Sequence, residues 1–363
     1  MFSSSLAVLA GTYSGPARAR ALAAWGAIGG AALAVGPAVG GLVVEGPGWR
    51  WLFAVNLPIA AFAAVAALRR VPESRDPNAG PTDLLGGLLA AAVVGLLVAA
   101  TLSGERAGWA SPFVIGAYVA GAVLLFAFVA LEARATQPML DPRLFRRPEL
   151  AGTVAFAFFQ SVAIYPVFLL VAIQLQGIDG LSALESGLRV LPITFGLLLT
   201  APLAGRLTAR VRLDRLLIAG LAVVAAGLFA LRAATPGDGY AADLPGYLLI
   251  GAGSGILSPA FAAAMIASLP ADQGGLAAGV GNTFRQIGIA AGIAGIGAVL
   301  QAGVGSDPEA LAALAGRVGV AASTQAAARF DDSADGALLV ALVAAGAGAF
   351  AASFIKVRGA GQS

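Results

Sequence analysis

Two residue types are missing altogether: the chain has no cysteine and no histidine. The first absence excludes disulfides, thiol nucleophiles and thiolate metal sites. The second excludes imidazole ligands, histidine bases and histidine proton relays. Charge is scarce as well, at 11% of 363 residues, against about 25% in a soluble domain. What fills the space is apolar: 59% hydrophobic residues and 49 glycines. A chain this apolar cannot build a water-compatible surface, so it reads as an integral membrane protein. Many small residues suit helices whose backbones approach closely in lipid. With no His, no Cys and no pair of buried carboxylates in sight, neither a metal, nor a cofactor, nor an enzyme activity is expected. Met1–Gly11 carries no basic leader region, so it does not read as a signal peptide.

A bilayer span needs roughly 20 apolar residues. Ten runs meet that length after a short apolar stub at Phe2–Gly11: Ala19–Val44, Trp51–Leu68, Leu84–Leu102, Phe113–Leu131, Leu150–Ile173, Ser186–Leu203, Leu213–Leu231, Leu244–Ser268, Gly274–Ala302 and Gly336–Val357. Backbone polar groups in lipid must be satisfied within the segment, so these are helices and not strands. The loops between them fall into two alternating sets. Fifteen of the 22 basic residues lie in one set: Arg18, Arg20, Arg69, Arg70, Arg75, Arg134, Arg143, Arg146, Arg147, Arg206, Arg210, Arg212, Arg215, Lys356 and Arg358. Six lie in the other, namely Arg50, Arg106, Arg189, Arg232, Arg317 and Arg329. By the positive-inside rule the first set, and with it the C-terminus, is cytoplasmic. The longest external connection, Gly303–Asp335, carries five acidic residues, and a short helix is expected around Glu309–Gln325.

The stretch Val35–Gly41 reads VGPAVGG inside the first of these runs. Gly36, Gly40 and Gly41 supply small faces for close packing, and Pro37 removes a backbone donor and bends the helix. Fourteen residues on, Trp49–Pro58 reads WRWLFAVNLP, including Trp49, Arg50, Asn56 and Pro58. Together these resemble the antiporter motif of the major facilitator superfamily and the run that follows it. They resemble in particular the 14-span drug:proton antiporter family of bacterial multidrug exporters. Gly274–Gly292, GGLAAGVGNTFRQIGIAAG, is similar to the family's thirteenth span. Leu181–Gly196 and Ala201–Val211 resemble the tenth span and its exit loop, with Ala209 where the loop motif has Asp.

The resemblance implies an all-α integral membrane protein with a major facilitator superfamily-like helical bundle, of about ten full transmembrane helices plus the N-terminal stub. It implies three parts: residues 1–70 as the remnant of an N-terminal six-helix bundle, 71–148 as two extra linker spans, and 149–363 as the C-terminal six-helix bundle. On that alignment the family's first three spans and most of the fourth are not represented, and the faces of the first two full spans are expected to be more exposed than those of the last six. The implied activity is proton-coupled efflux of drug-like or other small amphipathic molecules across the plasma membrane. A non-transporting membrane subunit or inactive fragment is the alternative. The implied partners are the lipid bilayer, a small-molecule substrate and protons, with no nucleic acid.

Polar groups deep in a span are functional candidates. Arg285 lies in the run beginning at Gly274, roughly 16 Å along it at 1.5 Å per residue. Asn282 and Gln286 flank it as an i,i+4 pair. Arg285 reads equally as a cavity-lining group and as a structural charge tied to neighbouring carbonyls. Gln160, Tyr165 and Gln174, near Phe156, Phe158 and Phe159, suit an apolar pocket with sparse polar groups, although each Phe reads first as ordinary packing. Asn56, two residues before Pro58, reads as a cap or as the bridge across a bend. With no histidine, proton coupling falls to a carboxylate, and Glu45, Asp83, Glu149 and Glu185 all sit at span edges.

Overall fold

The computed structural model describes residues 36–70, 83–108, 111–135, 140–234, 239–270, 273–305 and 323–356, together with Ala21, Ala32 and Pro138. The stub Phe2–Gly11, most of the span Ala19–Val44 and most of the connection Gly303–Asp335 lie outside the described residues. Every regular element among the described residues is a helix. In chain order they are α1 (36–45), α2 (Trp51–Ala54), α3 (Asn56–Arg70), α4 (Leu84–Ala107), α5 (Pro112–Glu132), α6 (Pro148–Ala172), α7 (Ala183–Arg189), α8 (Leu191–Leu207), α9 (Leu213–Ala233), α10 (Tyr240–Ala267), α11 (Gly274–Val304) and α12 (Thr324–Ala352). Taking α2 with α3 and α7 with α8, nine described segments are long and apolar enough to cross a membrane.

Three interruptions follow from local chemistry. Pro58 lacks the N–H that would bond to the Ala54 carbonyl, so the helix breaks at Val55. The Asn56 side chain bridges the break by donating to the Leu52 carbonyl at 2.8 Å. The expected single span Ser186–Leu203 is in fact two helices, broken at Val190 just before Pro192. The first of them starts on a capping box in which Ser182 and Glu185 satisfy each other's backbone N–H groups. Finally, α6 continues into a π-helical turn at Ile173–Ile178.

One expected boundary is wrong. The last helix begins at Thr324, twelve residues before Gly336, with the Ser323 side chain accepting from the Ala326 N–H. Asp331, Asp332 and Asp335 therefore stand on the first turns of α12 and not in a loop. Apolar run length finds only the part of a helix that lipid covers, and α12 projects beyond it. Arg232, in the last turn of α9, lies 3.4 Å from Asp335. That contact places Asp335 at the end of the bundle.

The six segments from Pro148 onward form the core. α10 is packed between α8 and α9, while α6 is packed against both α11 and α12. Gly251 of α10 lies directly on the Ile193 backbone of α8, and Gly253 lies on Gly220 and Val224 of α9. On α11, Gly292 receives the ring of Pro166 and the Val162 backbone of α6. The proline bend and the glycine gap thus fit one another. α4 and α5 form a hairpin, joined by a 3.0 Å hydrogen bond between Thr101 Oγ1 and the Tyr118 hydroxyl, and α4 also touches α11. The stretch Trp51–Arg69 is the least covered: none of its apolar window is buried, against 28–56% in the segments from Pro148 onward.

Because Gly251 meets backbone and not a movable side-chain tip, Gly251→Leu should cost more than the roughly 1–3 kcal/mol typical of overpacking. We expect a fall of several degrees in the Tm of the detergent-solubilised protein and loss of its monodisperse elution peak. Gly295→Leu faces open space and should leave both near wild type.

Candidate functional site

α11 presents Gly281, Arg285, Gly288 and Gly292 along one stripe, at helical spacings of four, three and four. Gly288 lies on the Phe158 backbone and on Ser161, and Gly292 on Pro166. The two helices run in the same direction, so this seam sets the register in which Arg285 meets α6. Its Nη1 donates to the Tyr165 hydroxyl at 3.1 Å, and its Nη2 donates to Asn282 Oδ1 at 2.8 Å. Three of the expected site residues are thus joined into one cluster. Among the described residues the ion pairs are Arg212–Asp214 and Arg232–Asp335, and neither involves Arg285.

The other three candidates lie apart. Gln286, four residues after Asn282 on α11, is exposed. The carbonyl oxygen of Asn282 turns to Arg285, three residues on, because a charged donor makes the stronger hydrogen bond. Gln160 is 7% exposed, and its backbone sits against Gly348 of α12. Gln174 lies in the π-helical turn and donates to Asp179 at 3.2 Å. Phe156 is fully buried and stacks at a tilt on Phe261, 5.9 Å between ring centres, so it is core and not cavity wall. The open face at Arg285 is distinct from two shallow grooves, one at Leu203, Arg206 and Arg210, the other at Pro192, Phe195 and Tyr240.

The two ends of the bundle differ in charge. Asp179 and Asp243 sit at the end where α12 begins, near Asp331 and Asp335, with Arg189 among them. Burial pushes the Asp179 carboxyl above the usual carboxylate range, against the opposing pull of Arg189 and the Gln174 hydrogen bond. Arg189 stacks over the Tyr240 ring at 5.1 Å, and its carbonyl accepts from the Tyr240 hydroxyl at 2.7 Å. The opposite end carries Arg206, Arg212 and Arg215, where Arg212 is paired with Asp214 at 2.7 Å.

The glycine motif makes a contact that sequence spacing could not show. Gly41 lies on the Ala183 and Leu184 backbone of α7, and the Pro37 carbonyl lies on Gly187. Glu45, just past the span's end, accepts from the Leu184 N–H at 2.7 Å. Gly36 and Gly40 face open space. In the following run, Arg50 stacks over the Trp49 ring at 4.8 Å, and Trp49 meets Phe53 edge-on.

A family model described as the Major Facilitator Superfamily matches residues 1–84 and 84–293. The chain belongs to that superfamily. Several superfamily relatives are named as drug exporters. The multidrug resistance protein Stp of Mycobacterium tuberculosis is 36% identical over 284 residues, covering 78% of this chain and 52% of Stp. The multidrug transporter protein MdtP of Bacillus subtilis is 27% identical over 301 residues, covering 83% and 56%. The tetracenomycin C resistance and export protein of Streptomyces glaucescens is 30% identical over 300 residues, covering 82% and 55%. The chain spans about half the length of these curated relatives.

The Ser182 hydroxyl and the Leu184 N–H hold the Glu45 carboxylate below the usual range. A depressed value means that the contact is present at and above the ordinary glutamate pKa of about 4.3 and is lost only as pH falls through the lower folded value. Hydrogen exchange at the Leu184 amide, corrected for intrinsic rate, should therefore stay slow at neutral and mildly acid pH. Glu45→Ala should accelerate it several-fold across that range.

Proposed function

We propose that this protein exports drug-like or other small amphipathic molecules across the plasma membrane, driven by protons, with Arg285 in the transport path. The observation that carries this reading is the Arg285 cluster. A guanidinium roughly 16 Å along a membrane helix is costly unless partnered. Here it is anchored by two neutral groups on an open face of the bundle. Packing alone does not call for a cation at that point. Major facilitator proteins are transporters rather than enzymes, and relatives named for tetracenomycin C and puromycin resistance support a drug-like cargo.

The charge distribution supports an orientation with the C-terminus in the cytoplasm. Arg143, Arg146, Arg147, Arg206, Arg210, Arg212, Arg215 and Lys356 all belong to connections or ends on one side of the core, by the alternation of its helices. The helix order supports a division into residues 1–70, a linker hairpin at 71–148, and a C-terminal six-helix bundle at 149–363. The carboxylates at the opposite end, Asp179 foremost, are the groups we assign to proton exchange. The second reading is a membrane subunit that does not transport by itself, in which the uncovered face of Trp51–Arg69 would meet a partner chain.

An export assay separates the two. The full chain, expressed in a drug-sensitive bacterium, should raise resistance to puromycin or tetracenomycin C and lower dye accumulation, and an uncoupler should abolish both effects. Arg285→Ala should abolish export at wild-type membrane abundance. Unchanged resistance in that variant removes Arg285 from the transport path. No export by wild type against either drug or dye favours the subunit reading.

A further inference from the structure

We infer that the Arg285 cluster is an anion-accepting subsite, which takes the carboxylate, sulfonate or phosphate head of an amphipathic molecule and discriminates against cations. This rests on the transport reading above for its place in the cycle, but the binding chemistry follows from the cluster alone.

A guanidinium carries five N–H donors and no acceptor. Arg285 uses one to Tyr165 and one to Asn282. Three donors have no partner among the described residues. Asn282 has engaged one lone pair of its carbonyl oxygen, and its amide NH2 still offers two donors. Tyr165 accepts from Arg285, so its O–H proton is directed elsewhere. The cluster therefore presents mostly N–H and O–H donors on a cationic frame, beside one remaining lone pair on each engaged oxygen. Such a set is complemented by an oxyanion with several lone pairs, and a fork of guanidinium N–H groups matches one in two-pronged fashion. A cationic ligand would meet like charge, and only the remaining lone pairs of Asn282 and Tyr165 as acceptors.

Electrostatics points the same way. No carboxylate among the described residues forms an ion pair with Arg285. In a weakly screened environment an uncompensated charge gains most from a counter-ion. The ligand is the counter-ion that the described residues do not supply. Its remaining body is apolar. Tyr165 and Phe168, three residues apart on α6, are 36% and 42% exposed, which places an aromatic ledge beside the donors.

Two xanthene dyes of opposite charge, carboxyfluorescein and rhodamine 123, test this by fluorescence anisotropy with the full chain in phosphatidylcholine nanodiscs. Carboxyfluorescein should bind about tenfold more tightly than rhodamine 123. Arg285→Gln should remove that difference by weakening carboxyfluorescein, with rhodamine 123 bound equally or more tightly, Arg285→Lys should restore part of it, and Tyr165→Phe should weaken the anion by about threefold to tenfold. If Arg285→Gln does not elute as a monodisperse peak, Tyr165→Phe carries the test. Phosphatidylglycerol added to the disc separates two sources of the same chemistry. Arg285-dependent competition makes a lipid head group an occupant, and its absence leaves a freely diffusing amphiphile. Preference for rhodamine 123, or carboxyfluorescein binding that is absent or indifferent to Arg285 and Tyr165, overturns the inference. Dye flux in proteoliposomes keeps the two readings apart. Arg285-dependent binding without flux sinks export and leaves the subsite. Flux of carboxyfluorescein without Arg285 dependence sinks the subsite and leaves export.

Discussion

Close approach of backbones is the constraint on which the rest depends. Lipid tails are as apolar as leucine, so burying apolar side chains between helices gains little in a bilayer. What holds helices together is dispersion at short range and the few polar contacts that can form. α10 shows both. Gly251 and Gly255 let it lie on the backbone of α8, Gly253 lets it lie on α9, and Thr200 of α8 donates to the Ala252 carbonyl at 2.8 Å. Side chains at those glycines would drive three helices apart. The α6–α11 seam applies the same rule with a proline added. The Pro166 ring stands out from α6, and the missing side chain at Gly292 leaves room for it.

That seam is also what places the polar cluster. Gly288 and Gly292 fix how α11 lies along α6, and Arg285 extends the same stripe by one turn. A side chain as long as arginine cannot pack inside such a seam, so it leaves at the edge and finds Tyr165. The hydroxyl of Tyr165 and the carbonyl oxygen of Asn282 then aim the guanidinium. The functional geometry is a by-product of packing geometry, with two hydrogen bonds to orient it.

The fold was legible in the sequence to the extent that it depends on composition. Run length found the described spans, because bilayer thickness imposes it. Boundaries failed where composition and helicity part company. Polar residues at 324–335 conceal the first turns of α12, and one continuous apolar run conceals the break at Val190. In the site, Arg285 and Asn282 were legible because a polar residue inside an apolar run is conspicuous, and their three-residue spacing allows a contact on one helix. Tyr165, 120 residues away from Arg285, was visible as a candidate but not as its partner. Gln286 was named as the other flank of Arg285, and spacing alone did not show that Asn282 is the neighbour that accepts from it. The Glu45–Leu184 contact spans 139 residues, and no local pattern encodes it.

Exposure means different things along this chain. The face of Trp51–Arg69 is open, yet its side chains at Phe53, Leu57 and Phe62 are what a bilayer solvates well. Lipid alone satisfies it, so its openness is silent about any protein partner. The openness at Arg285 is not silent. Hydrocarbon accepts no hydrogen bonds and carries no counter-charge, so a guanidinium with three unused donors is satisfied there only by water, an anion or both. Water satisfies donors but supplies no opposite charge. The same measure, solvent-accessible surface, thus marks ordinary lipid contact on one helix and an unfilled electrostatic demand on another. What separates them is the chemistry of the exposed group and not its area.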